Sequence, residues 1–419
     1  MNLMTRLFAT RTSCGQPVRA GWRSPAPLLR ASLWRAVLAA ALATATLLGC
    51  GGGVGTGGTG TFASGPITGL GSIFVGGIRF DDAGATISDD DGRVRSRAEL
   101  RLGMTVQVDA GELGSSNGVA SASARSVQLG SELLGPVETV DLAAGRITLL
   151  GQRVDIGPDT VIDARLPRGL ANLVPGRVLE VYALHDPAAG RYRATRIEPV
   201  DATVGYALRG VADAVDSGNA VLRVGAARFS FAGVNSLPPA LNAGGLVRLR
   251  LAQVPDNQGR WVITAFGAAA TALPTERDNA RLEGPVTRFD SLASFQVNGV
   301  TVDAAVAVFP EGTAGMGLGA RVEVEGSAIA GRLKAARVSI KSDAVLGQRG
   351  FDLLGNVEAV DAVARSFVLR GITISSARGD LRIDDGTLAD LAPGRQVEVR
   401  ALASGDRTLL EAVRIKFVR

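Results

Sequence analysis

The chain is poor in the residues that most enzymes and metal sites rely on. It holds one His, two Cys, three Trp and three Tyr, and aromatic residues make up 5% of it. A catalytic imidazole needs partners set around it, and His185 stands alone in Leu184-His-Asp-Pro-Ala-Ala-Gly190, which reads as a turn between strands. Zinc needs several nitrogen or sulfur ligands, which one His and two Cys do not provide. Two Cys, one of them at position 14, give no disulfide framework. The serines are read as having neither a GxSxG elbow nor a base partner, so no catalytic residue, cofactor or metal ligand is assigned.

Acid is also missing, over a long stretch. Residues 1–49 contain Arg6, Arg11, Arg19, Arg23, Arg30 and Arg35, and the first acidic residue is Asp81. The whole chain has 45 basic and 40 acidic residues, a formal charge of +5 that would suit a nucleic-acid partner. Setting aside the six leader arginines leaves 39 basic residues against 40 acidic ones. The remainder is close to neutral and has no bias toward phosphate, so nucleic acid is not an expected partner.

The basic stretch is followed by an apolar run, Ala36 to Leu48, of 13 residues. This is too short to cross a ~30 Å hydrocarbon core comfortably as a helix, and it has the proportions of an export signal. The run ends in Leu47-Leu48-Gly49-Cys50. That string resembles the lipobox of bacterial lipoproteins, in which the Cys becomes the first residue and carries the lipid anchor. The resemblance implies that residues 1–49 are a lipoprotein signal peptide, that Cys50 is lipidated, and that the membrane is a partner through that lipid. It places the protein in the cell envelope, with Gly51 after the Cys favouring the outer membrane. The basic region is long for a signal peptide, which fits translation starting downstream of Met1. Residues 50–63, with seven glycines from Gly51 to Gly60 interrupted only by Val and Thr, read as a flexible tether.

Beyond the tether one phrase recurs. It appears as Leu133-Leu-Gly-Pro-Val-Glu-Thr-Val-Asp141, Leu208-Arg-Gly-Val-Ala-Asp-Ala-Val-Asp216, Leu282-Glu-Gly-Pro-Val-Thr-Arg-Phe-Asp290 and Leu353-Leu-Gly-Asn-Val-Glu-Ala-Val-Asp361, with a weaker form at Ser64-Gly-Pro-Ile-Thr68. Its glycines, at 65, 135, 210, 284 and 355, lie 70 to 75 residues apart. Each phrase precedes a hairpin such as Phe295-Gln-Val-Asn-Gly-Val-Thr-Val302, where Asn-Gly supplies the positive φ of a two-residue loop. Next comes a Gly-led alternating strand, as in Gly176-Arg-Val-Leu-Glu-Val181, Gly245-Leu-Val-Arg-Leu249 or Gly394-Arg-Gln-Val-Glu-Val-Arg400, and then a closing strand. Five repeats follow: 64–130, 133–200, 207–267, 281–341 and 352–419.

The fold class is therefore all-β. Each unit has about five short strands, and closing them into an OB-like five-stranded barrel removes exposed edges. The rivals are paired small sheets, or a solenoid in which neighbours share strands. The Gly-x-Ile/Val openings, the Val-Asn-Gly-Val hairpin and strands like Leu100-Arg-Leu-Gly-Met-Thr-Val-Gln-Val108 resemble a family of bacterial lipoprotein repeats, a domain of unknown function. The resemblance spans about 66–418. It implies tandem OB-like barrels and an envelope location, and it carries no catalytic residues.

Other clusters read as structural. Asp81, Asp82 and Asp89-Asp-Asp-Gly92 form polar turns, since a calcium loop needs spaced ligands and a closing Glu. Asp384-Asp-Gly386 reads the same way. Arg177, Arg191, Arg193 and Arg196 read as solvated surface pairs. Trp261, Tyr182 and Tyr192 fall in strands, where core packing is the commoner role, and are the candidate ligand contacts. The expected function is that of a non-enzymatic, envelope-anchored binding or scaffold protein, with envelope proteins or polysaccharide as partners. The alternative is a recognition module for a glycan or extracellular polymer. An envelope hydrolase has no acid–base or nucleophile constellation behind it.

Overall fold

A computed structural model describes residues 60–116, 118–239, 241–341 and 350–418. The leader 1–49, Cys50 and the tether up to residue 59 lie outside the described residues. Barrel 2 shows the plan that every unit follows. Its strands are Leu133–Asp141, Arg146–Leu149, Gln152–Ile162, Val178–Asp186 and Arg191–Pro199. Strand 1 pairs antiparallel with strand 2, and strand 2 with strand 3. Strand 5 runs parallel to strand 3, strand 4 antiparallel to strand 5, and strand 4 returns to strand 1. The order 1-2-3-5-4-1 closes the barrel in the Greek-key manner of the OB fold.

Barrels 1, 3, 4 and 5 close with the same pairings. All five carry a register shift between strands 4 and 5, the kind of bulge that lets a short strand bend around a small barrel.

The recurring phrase has a physical cause. In barrels 2 and 4 its glycine lies in strand 1 beneath the tip of the same barrel's hairpin: a Cβ on Gly135 would stand 2.7 Å from the Leu150 side chain, and one on Gly284 would strike Asn298. Three residues later a polar side chain caps that tip. Glu138 accepts from the Gly151 N–H, Asp213 from Gly225, Thr287 from Gly299 and Glu358 from Gly371, at 2.6 to 3.3 Å. Between them sits a buried apolar residue whose carbonyl accepts a hydrogen bond from the glycine ahead of strand 4. These bonds are Gly103 to Ile67, Gly176 to Val137, Gly244 to Ala212, Gly319 to Val286 and Gly394 to Val357, all 2.7 or 2.8 Å. The donor glycines have φ between +80° and +87°, where a Cβ would be strained. In barrel 3 the role falls to Gly244, one residue before the glycine at which the sequence pattern starts the strand.

Alternation along the strands sends Val, Leu, Ile and Phe inward. Phe80, Phe229, Phe295, Phe351 and Phe367 are essentially inaccessible, and each such side chain contributes about 1.5–3 kcal/mol of burial. The interiors of barrels 1 and 5 form one continuous apolar cluster, those of barrels 2 and 3 a second, and barrel 4 a third.

Sheet pairing continues between barrels. Thr61–Ser64 runs parallel to Asn279–Leu282 of barrel 4, and Gly69–Leu70 parallel to Asp352–Leu353 of barrel 5. Leu133 and Leu134 pair with Leu208 and Ala207 of barrel 3. Each barrel is closed, yet strand 1 is shared with a neighbour, so the barrel reading holds with one feature of its rival. The tether must also be shortened. The strand begins at Thr61, and Thr61, Phe62 and Ala63 are buried because they are paired on both sides. In barrel 4 strand 1 begins at Glu276, ahead of the expected 281, because it extends along strand 4 as far as Ile329.

Ion pairs fill the junction of barrels 1, 2 and 3. Asp90 of barrel 1 takes Arg248 at 2.7 Å and Arg209 at 3.2 Å, both from barrel 3, and Arg209 also reaches Glu132 of barrel 2 at 3.4 Å. Asp90 is thus a buried ion-pair partner, while Asp89 caps the turn by accepting from the N–H groups of Asp91 and Arg93. Asp82 is likewise buried against Arg97 at 2.7 Å. Arg196 is 4% exposed, not solvated, and bridges Asp163, Glu198 and the Leu102 carbonyl of barrel 1. Removing one partner from such a cluster strands the others in a poorly solvated place. Asp90→Ala is expected to lower stability by about 3–5 kcal/mol in urea denaturation. A loss below about 1 kcal/mol would show that the pairs behave as exposed ones.

Candidate binding cavity

Barrels 1, 2, 4 and 5 leave between them a cavity of about 1520 Å³. Its wall on the barrel 2 side is the outer face of strands 2, 3 and 5. Those strands expose alternate residues outward, so Arg146, Arg153, Asp155, Arg191 and Arg193 all fall on one face. In register, Asp155 lies opposite Arg146 on one side and Arg193 on the other, and Arg153 lies beside Arg191. With strands ~4.8 Å apart, the five charges occupy a patch about two strand spacings wide.

Asp155 is the centre of this patch. One oxygen accepts from Arg146 Nε at 3.2 Å and Arg153 Nε at 2.9 Å. The other accepts from Arg153 Nη2 at 3.0 Å and Arg191 Nη1 at 3.0 Å. Four bonds use up the acceptor capacity of a carboxylate. Burial pushes the Asp155 carboxyl up, but the hydrogen bonds from Arg153, Arg191 and Arg146 outweigh it and hold the group below its ordinary range. It therefore stays charged and keeps the three guanidiniums in place. Arg191 also reaches Asp186 at 3.2 Å, and Arg193 approaches the same carboxylate at 4.0 Å.

The other walls are charged as well. From barrel 4, Arg321 meets Glu283 at 2.6 Å and Lys341 meets Glu323 at 2.7 Å. Burial pulls the Lys341 ammonium down, but the Glu323 hydrogen bond together with the charges of Glu323, Glu283 and Glu311 outweighs it and holds the group above its ordinary value, so it stays protonated. Barrel 5 supplies the Arg400–Asp352 pair with Arg414 and Lys416, and barrel 1 supplies Arg79. Ten lining side chains are basic and seven acidic, so the cavity is cationic in a chain that is nearly neutral beyond residue 49. Arg79 and Lys416 have no acidic partner among the described residues.

The residues picked out from sequence lie elsewhere. Tyr192 is fully buried in barrel 2 and donates its hydroxyl to the Arg209 carbonyl at 2.7 Å. Tyr182 is 3% exposed and packs against the barrel 1 cluster. Trp261 is half-buried, edge-on to Tyr206 at 5.7 Å. None of the three lines the cavity. His185 is not in a turn: it belongs to strand 4 of barrel 2, opposite Tyr192, with the two rings stacked at 4.4 Å. Asp384 pairs with Arg382 and Arg414, and Asp385 lines the cavity. Gly114-Ser-Ser-Asn-Gly118 spells the G-x-S-x-G pattern, which the reading of serines above passed over. Ser116 ends a short antiparallel strand, Gly114–Ser116, and not the strand-to-helix turn of a nucleophile elbow.

The arginine patch was missed because alternating Arg and Asp on an outer strand face look like ordinary solvated residues. The signal was the pairing of Arg191 and Arg193 with Arg153 and Asp155 across adjacent strands. That another barrel would cover this face is a tertiary fact.

Strand order and cavity together define the class: a compact array of OB-type barrels built around a charged hollow. Residues 135–198, 283–339 and 355–416 match the model of a domain of unknown function (DUF5666). The match falls on barrels 2, 4 and 5. No curated protein matches the chain. Among solved structures it is similar to Drosophila Unr CSD456, with 13% identity over 69% of this chain and 97% of that one, at a TM-score of 0.13. It is also similar to a multidomain protein with nucleic acid binding domains from Streptococcus pneumoniae, with 12% identity over 55% and 76%, at a TM-score of 0.16. At these scores neither likeness bears on function, and the OB assignment rests on the strand pairing.

His185 provides a test of the barrel 2 interior. Burial lowers its pKa from 6.5 to about 4, with Asp186 opposing weakly. Its Nδ1 is buried without a hydrogen-bond partner among the described residues. In the unfolded chain the imidazole takes a proton near pH 6.5, whereas the folded chain refuses it until about pH 4. Its contribution to stability is therefore held above pH 6.5 and lost as pH falls toward 4. His185→Gln lacks this loss. Melting curves should show the wild-type chain losing ground relative to the variant between pH 7.5 and 4.5. A constant difference across that range would place His185 in water.

Proposed function

We propose that this is an envelope-anchored, non-enzymatic binding protein whose ligand occupies the cavity shared by barrels 1, 2, 4 and 5. The observation that carries this reading is the cavity itself. At about 1520 Å³ it exceeds the ~300–1,000 Å³ of a drug-sized site, and its polar walls come from four barrels at once. Preformed polar walls drawn from several barrels support a binding role. The lipobox-like Leu47-Leu-Gly-Cys50 supports attachment to a bacterial membrane through lipid on Cys50, with the tether holding the barrels off the surface.

Two measurements test the two halves of this reading. The full chain should sediment with membranes and take up labelled fatty acid, and Cys50→Ala should abolish both. Retention of the label by the variant would contradict the anchor. A ligand that binds only the folded state raises its melting temperature. The full chain in detergent should therefore melt higher with a polysaccharide extract of its own cell envelope than without, and no shift with any fraction would contradict a binding role.

A further inference from the structure

We infer that the arginine face of barrel 2 binds the negative charges of an acidic polysaccharide, carboxylate or phosphate, lying in the cavity; this rests on the binding role proposed above. Arg146, Arg153 and Arg191 each present five N–H donors. Four of these end on Asp155 and one on Asp186. The remaining donors have no acceptor among the described residues. The three guanidiniums are thus fixed in orientation by Asp155 while most of their donors are unspent. Arginine's planar fork matches carboxylate and phosphate alike, with two parallel bonds to each. Because the fork is already positioned, little ordering entropy opposes binding.

The rest of the cavity favours a chain with repeated charges over a single anion. Arg79 from barrel 1 and Lys416 from barrel 5 are cations without an acidic partner among the described residues, contributed by different barrels from the three arginines. A ligand long enough to meet the barrel 2 face and either of these must carry more than one negative group. The volume also exceeds what one small molecule fills.

Nucleic acid is the other polyanion, and the walls do not suit it. OB folds hold single strands by stacking bases on exposed aromatic rings. Here Phe74 and Phe417 are the aromatic residues of the lining; Phe417 is 1% exposed and Phe74 is half-buried against Gly69. The strand faces that would carry such rings carry Arg and Asp instead.

The experiment is titration calorimetry of the full chain in detergent against four polymers: polygalacturonate, poly(glycerol phosphate), dextran and oligo-dT. At least one of the two acidic polymers should bind, more weakly as salt is raised, and which one does identifies carboxylate or phosphate as the natural charge. Arg146→Gln with Arg153→Gln should weaken that binding about tenfold or more, the loss expected for charge-assisted paired bonds. Arg79→Ala should weaken it by about threefold, while exposed Arg288→Gln should leave it unchanged. Should the double variant fail to fold by circular dichroism, Arg79→Ala decides, because that side chain has no ion pair to lose. Failure of both acidic polymers to bind, or acidic-polymer binding indifferent to the cavity arginines, overturns the inference. Tighter binding of oligo-dT than of either acidic polymer overturns it in favour of nucleic acid. Equally tight binding of dextran also overturns it but leaves the binding role intact, and the melting shift with envelope extract tests that role separately.

Discussion

Main-chain hydrogen bonds between the first strands of different barrels hold the molecule together. In an OB-type barrel strand 1 is long and bent. Its early half pairs with strand 4 and its late half with strand 2, so each half keeps one open edge. An open edge invites another strand. Here the edges are used internally: Thr61–Ser64 meets barrel 4, Gly69–Leu70 meets barrel 5, and Leu133–Leu134 meets barrel 3. The cavity exists because barrel 1 is fastened in this way to two barrels that lie more than 200 residues away in sequence. The ion pairs of Asp90 and Arg209, and the hydrogen bond from Arg196 to the Leu102 carbonyl, also join barrels 1, 2 and 3.

Much of each barrel was legible in the chain because its signals are local. The marker glycine, the polar residue three positions on and the Gly before strand 4 are close in sequence or repeat at fixed offsets. Each has a single steric or hydrogen-bonding cause: room for the hairpin tip, a cap on it, and a left-handed turn bonded to strand 1. The relation between barrels was not legible. Nothing near Thr61 signals that it will lie beside Asn279, and Asp90 in a run of three aspartates looks like any solvated turn. Tyr182 was visible as a strand residue, but its burial against the neighbouring barrel depends on inter-barrel packing. His185 was misplaced because Pro187 and Gly190 suggested a turn two residues earlier than the strand ends at Asp186.

The same distinction governs charge. Counted along the chain, acid and base nearly cancel beyond the leader, which argues against a polyanion partner. Counted by location, the cavity collects ten basic side chains and seven acidic ones, and a single carboxylate, Asp155, organises three of the arginines. Net charge speaks to long-range steering and solubility, whereas recognition depends on donors held in place over a few ångströms. A nearly neutral protein can therefore hold a cationic hollow, provided it folds the outer face of one barrel against others.

That condition is the central claim, and small-angle X-ray scattering on the chain from Gly51 onward tests it most directly. One compact body of this length has a radius of gyration of about 21 Å. The account predicts a value close to that, with a single-peaked distance distribution. A radius well above about 30 Å, with the periodic distance distribution of separate barrels along a flexible chain, would contradict it, and with it the shared cavity.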